Sequence, residues 1–251
     1  MKEVNLSINK INYSQRNNEA DPSSTCGTTN MVQALDYAGW ELPKGEHNQP
    51  EDNLTQFCRT NEEVLNYYNK KYPAMYNNWI KECTKLSGKE GLSDLDLVDR
   101  CWHMHFPDSF PPNEVHDVLS YAANKWMGYE KDEITHFVEN AYETNIVNAL
   151  RHGTPVVSSV KFGKYNHIIT IVGFEYDDKK YDSTSDDEIE NYITNYIIDD
   201  TYGRFNFETM KYDVISGNDT KIERKKFLSM LKPIGSNKYY AHFFKPGPAT
   251  M

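Results

Sequence analysis

Between Gly27 and Gly39 the apolar residues Met31, Val32, Leu35 and Ala38 recur at helical spacing, with Ser24 or Thr25 able to cap the start and Gly39 to stop the end. The pattern predicts a helix whose first turn carries Cys26. Residues 1–25 ahead of it are polar, with Pro22, Ser23 and Ser24 just before the cysteine. From 54 to 150 the helical period dominates. Thr60 and Glu63 form a capping-box pattern ahead of Val64, Leu65 and Tyr68, and Val115, Val118, Leu119, Ala122 and Trp126 line one face of a helix that stops at Gly128. Ile134, Phe137, Val138 and Ala141 repeat the same spacing, predicting a further helix.

After Gly153 the period shortens. "TPVVSSVKF" (154–162) and "HIITIVGFEY" (167–176) are β-branched runs separated by the turn "GKYN". "YITNYIIDD" (192–200), "YGRFNFETM" and "NKYYAHFFK" follow as further strands, after a polar, acidic stretch at 177–191. Helices first and strands afterwards predict an α+β fold with an antiparallel sheet. No repeat and no long linker is present, so the expectation is one domain, 1–251, helical over about 24–150 and sheet-forming over about 153–251.

Composition narrows the functional classes. The chain has 251 residues with 18 Tyr, 11 Phe and 4 Trp, a globular composition able to bury a core. Its formal charge of -10 opposes phosphate backbones and anionic lipid, so no nucleic-acid partner is expected. The one dense basic run, "KIERKK" (221–226), reads as a solvated helix end. No stretch approaches the roughly 20 apolar residues of a membrane span, and the start lacks an apolar run of signal-peptide length. The expectation is synthesis in a cytoplasm without membrane insertion, any passage to a cell wall being supplied by another factor. Cys26, Cys58, Cys83 and Cys101 form no CxxC pair and read as thiols.

A thiol attacks only as its thiolate, and a helix N-terminus and a neighbouring imidazolium both favour that form. The predicted place of Cys26 supplies the first device. His167, opening a strand after a turn, supplies the second. The strand "YIIDD" brings Asp199 and Asp200, either of which can hold the imidazole in the required tautomer. Gln15, eleven residues before Cys26, offers an amide donor for an oxyanion.

These segments together, "YSQRNN…PSSTCGTTNMVQALDYAG", "GTPVVSSVKFGKYNHIITIVGF" and "YIIDDTYGRF", resemble the papain-like double-glycine leader peptidases, especially their stand-alone phage and bacterial branch. The resemblance covers the first ~40 residues and roughly 153–205. It implies a papain-like fold, a helical lobe with the nucleophile packed on an antiparallel sheet. It also implies hydrolysis of peptide bonds, with Cys26 as nucleophile, His167 as general base and acid, Asp200 as its partner and Gln15 as oxyanion donor. Thr201 stands where the family usually has proline, and "NH" replaces the common "GH". No cofactor is implied. The substrate implied is a peptide, either the peptide bridges of peptidoglycan cut by a lysin or a leader cut by an intracellular processing peptidase. A papain-fold binding module without the reaction is the rival class. The resemblance leaves the oligomeric state open.

Two other clusters have metal-ligand character. In "CWHMH" Cys101, His103 and His105 alternate and would share a face on a strand, with His116 as a nearby fourth ligand for zinc, although helical signals flank the segment. In the acidic stretch 177–190, "DSTSDDE" alternates carboxylates but lacks the glycine and terminal glutamate of an EF-hand loop, and reads as solvated.

Overall fold

The computed structural model describes every residue except 9, 12, 107–109, 182–187, 214 and 249–251. The carboxylates of "DSTSDDE" thus lie almost wholly outside the described residues. The fold is α+β, and the chain divides into two compact units. A sheet unit comprises Met1–Tyr13, Gln33–Glu41 and Phe137–Met251, and a helical unit comprises Ser14–Val32 and Leu42–His136.

Among the described residues seven strands form one sheet: β1 (Lys2–Asn5), β2 (Thr135–Ala141), β3 (Val156–Phe162), β4 (Tyr165–Tyr176), β5 (Ile193–Asp200), β8 (Gly217–Glu223) and β9 (Tyr239–Phe244). Their order is β2-β9-β3-β4-β5-β8, with β1 also on β4. The length of β4 explains this. Its first half pairs antiparallel with β3, from Phe162↔Tyr165 to Val156↔Ile171, and its second half with β1, from Asn5↔Gly173 to Lys2↔Tyr176. Gly173 permits that last pairing, because a Cβ there would lie 1.9 Å from the Val4 carbonyl oxygen. The remaining two, β6 (Phe205–Asn206) and β7 (Lys211–Tyr212), make a separate ribbon. Of "YGRFNFETM", therefore, only two residues are strand.

The sheet's two faces differ. Ile169 and Ile171 of β4 and Tyr196 and Ile198 of β5 join a large core with Ile146, Val147 and Leu150 of α7 (Glu143–Arg151) and Phe227 of α8 (Arg224–Met230). Val172 and Ile197 cluster instead with Tyr37, the last residue of α1 (Cys26–Tyr37). Side-chain alternation along a strand makes this division.

The helical unit carries α2 (Pro50–Thr60), α3 (Glu62–Lys71), α4 (Pro73–Ser87), α5 (Asp94–Cys101) and α6 (His116–Trp126). Leu54, Leu65, Tyr68, Trp79, Leu97 and Leu119 are among its buried residues. No helix among the described residues is long and apolar enough to cross a membrane.

Four local expectations change. Thr60 is the last residue of α2, and the cap of α3 is Asn61, whose side chain accepts from the Glu63 and Val64 amides. The stretch 134–141 is β2, not helix. Asn124 Oδ1 accepts the Ile134 and Thr135 amides and Nδ2 donates to the Thr135 carbonyl, so the backbone leaves α6 extended and pairs beside β9. This edge position outweighs the helical spacing of its apolar residues. The β3–β4 turn is only Gly163–Lys164, with Gly163 at φ +59°, so His167 is the third residue of β4 and not the first. The basic run is solvent-exposed at Lys221, Lys225 and Lys226 but does not end a helix: Lys221 in β8 meets Glu3 at 2.7 Å and Glu175 at 2.6 Å, and Arg224, opening α8, grips Glu143 at 2.7 and 2.8 Å.

Candidate active site

Cys26 is the first residue of α1 and is half-buried, as a free thiol. Met31, Val32, Ala34, Leu35 and Ala38 are fully buried and hold the helix. Gly39, at φ +87°, ends it, with the Gly39 amide on the Asp36 carbonyl and the Trp40 amide on that of Leu35.

The irregular segment before Cys26 is fixed by side chains. Gln15 lies in a single 3-10 turn, Gln15–Asn17, is buried, and donates through Nε2 to the Pro22 carbonyl. Asn18 Nδ2 reaches Thr25 Oγ1 and Thr29 Oγ1, both at 3.1 Å. Three residues of α2 on one helical stripe complete the clamp. Asp52 accepts the Glu19 amide at 2.9 Å and that of Ala20 at 3.1 Å, and Thr55 Oγ1 meets Thr28 Oγ1 at 2.7 Å. Arg59 donates to Ser24 Oγ at 3.2 Å, to Asn113 Oδ1 at 2.9 Å and to the Trp102 carbonyl, while Asn113 Nδ2 holds the Ser24 carbonyl at 2.9 Å. Asp52, Thr55 and Arg59 are fully buried. Burial pushes the Asp52 carboxyl up, opposed by the two amides it accepts, and lowers the Arg59 guanidinium, opposed by the charge of Glu114.

Sequence reading missed this clamp. Its signal was polar residues at 52, 55 and 59 interleaved with Leu54 and Cys58, a polar stripe on a helix that also needed a buried face.

In the sheet unit, His167 of β4 and Asp200 at the end of β5 continue the alternation of Ile169 and Ile198 on one face. His167 Nε2 is 2.8 Å from Asp200 Oδ1, and both side chains are buried. The same Oδ1 accepts the Tyr202 amide at 3.0 Å. Tyr202 and Tyr212 stand edge-on to the imidazole, with ring centroids at 6.4 and 5.8 Å. Asp199 points the other way. Its Oδ2 meets the Tyr37 hydroxyl at 3.0 Å and its Oδ1 the Asp219 amide at 2.8 Å. Asp200 is therefore the carboxylate that meets His167.

The contact with Asp200 is made through Nε2, which turns Nδ1 away from that carboxylate. The sheet unit thus brings together two of the four candidates, His167 and Asp200, and the helical unit holds the other two, Gln15 and Cys26.

The remaining thiols are core residues. Burial pushes the Cys58 thiol up to about 12 and raises Cys83 and Cys101 as well, and Cys101 Sγ donates to the Cys83 carbonyl at 3.4 Å. "CWHMH" is not a strand. Cys101 closes α5, His103 packs edge-on to Trp102 at 5.7 Å, and His105 Nδ1 binds Asp21 at 2.5 Å. Among the described residues no group of His, Cys, Asp or Glu is arranged to hold a metal ion. No protein-family model and no curated protein matches the chain.

Proposed function

We propose that the chain is a papain-like cysteine peptidase that hydrolyses amide bonds of peptides. The observation that carries the reading is the buried His167–Asp200 pair at 2.8 Å, a carboxylate on Nε2 that supports Nδ1 as the exchanging nitrogen. In the proposed reaction Nδ1 takes the Cys26 thiol proton and Sγ attacks the carbonyl carbon. The oxyanion is held by the Cys26 amide and by the Gln15 side-chain amide. His167 then protonates the leaving amine, and water, deprotonated by the same nitrogen, clears the thioester. Asp200 keeps Nε2–H oriented through both half-reactions.

Purified peptidoglycan and a peptide library, each incubated with the protein and read by mass spectrometry, test the reaction and separate wall bridges from leader-type peptides as substrate. A new carboxyl terminus and amine from either, lost in Cys26→Ala, supports the proposal. Products that persist in Cys26→Ala, or none from either source, sink it and favour a binding module.

A further inference from the structure

We infer that in mildly acidic solution the folded protein holds Asp199 as a neutral carboxylic acid that donates its proton to Tyr37, so that the contact between β5 and the second half of α1 is a latch that ionisation loosens. Tyr37 Oη lies 3.0 Å from Asp199 Oδ2 and 3.1 Å from the Ile11 carbonyl oxygen. A phenol has one hydrogen, whereas a carbonyl and an ionised carboxylate only accept. Three oxygens in a row at these spacings need two hydrogens. The arrangement that supplies them is Asp199 Oδ2–H to Tyr37 Oη and Tyr37 Oη–H to Ile11 O. The other carboxyl oxygen, Oδ1, accepts the Asp219 amide at 2.8 Å. With Asp199 ionised, one of the two Tyr37 contacts would set acceptor against acceptor.

The surroundings favour the neutral form. Asp199 is fully buried and Tyr37 nearly so. Among the described residues Asp199 is faced by Tyr37 from α1, by Asp219 from β8 and, across the ladder on β4, by Thr170, which is uncharged. Among the described residues no cation is found among the charges acting on it. The Asp219 carboxylate is itself held by Asn5 Nδ2 at 2.7 Å and Ser7 Oγ at 2.6 Å, and its charge opposes a second anion. Burial, the largest cause, pushes the Asp199 carboxyl up to about 6, against the pull of the Asp219 amide and Tyr37. Burial raises the Tyr37 phenol too, so it keeps its hydrogen throughout.

The sign follows from linkage. The folded chain holds this proton to higher pH than an unfolded chain does. The latch's contribution is therefore full below the ordinary carboxylate range and is lost as pH rises through about 6. Above that, the carboxylate draws the Tyr37 hydrogen and the Ile11 carbonyl loses its donor. The latch is independent of the peptidase reading.

The test is a carbon-13 NMR titration of the Asp199 carboxyl in the wild-type chain, assigned through its own backbone, together with melting curves of wild type and Asp199→Asn from pH 4.5 to 8. Asparagine mimics the neutral acid, because Nδ2 can donate to Tyr37 while Oδ1 accepts the Asp219 amide. Expected are an Asp199 midpoint about two units above the unperturbed value, and an Asp199→Asn variant that melts with wild type at pH 4.5 but roughly 3–8 °C higher at pH 8. An Asp199 midpoint in the ordinary carboxylate range overturns the inference. So does a variant that melts below wild type at pH 8. If the variant does not fold, the wild-type titration decides alone.

Discussion

Cys26 and His167 are held by opposite means. His167 sits inside a strand, in register opposite Val160, and the ladder fixes its backbone whatever the neighbouring side chains are. One carboxylate, from Asp200 on the next strand, then orients the ring. Cys26 follows an irregular loop with no ladder, and that loop is held by buried side chains, Asp52, Thr55 and Arg59 from α2 and Asn113. A loop whose backbone groups have no regular partners needs side chains to satisfy and fix them. Each region is vulnerable in its own place: the histidine to loss of the carboxylate that meets Nε2, the cysteine to loss of a clamp from distant parts of the sequence.

The largest expected effect tests whether both regions serve one reaction. Cys26→Ala should abolish hydrolysis while shifting the urea midpoint little, because a half-buried thiol is not a core residue. Next comes the carboxylate that meets His167 Nε2. Asp200→Asn should lower kcat by about 10²–10⁴ with the fold intact. Asp199→Asn should stay within a few fold, since its carboxyl faces Tyr37. Equal losses in steady-state assays would dissolve the distinction between the two faces of β5.

The clamp is probed by stability. Arg59→Met leaves Asn113 Oδ1, Ser24 Oγ and the Trp102 carbonyl without their buried donor, and should cost about 3 kcal/mol in urea unfolding. Arg224→Met removes a partly exposed ion pair to Glu143 and should cost under about 1 kcal/mol. Similar costs would mean that the buried donors add nothing to the clamp.

The smallest effect separates the four thiols. Iodoacetamide at neutral pH should label Cys26 first, because burial holds Cys58, Cys83 and Cys101 as neutral, inaccessible thiols. Replacing any of those three by serine should leave turnover within a few fold. Peptide mapping that finds Cys26 the slowest of the four would remove the nucleophile from the proposal.

Local pattern made several features of this chain legible. The helix opening at Cys26, its stop at Gly39, the β-branched runs that became β3, β4 and β5, and the opposite facing of Asp199 and Asp200 all follow from spacing, turn residues and strand alternation, which act over a few residues. What these could not decide were partners far apart in the chain. The polar start became β1 because β4 is long enough to offer it an edge. The helical spacing at 134–141 yielded to Asn124 and the edge of the sheet. The "CWHMH" residues were dispersed by the end of α5. The choice of Asp200 for His167, and the polar stripe of α2 with Asn113 that holds the loop before Cys26, rest on contacts between residues 27 to 89 positions apart. Such contacts exist only once the chain has closed on itself, because a side chain's partner is set by what the fold carries to it and not by its neighbours in sequence.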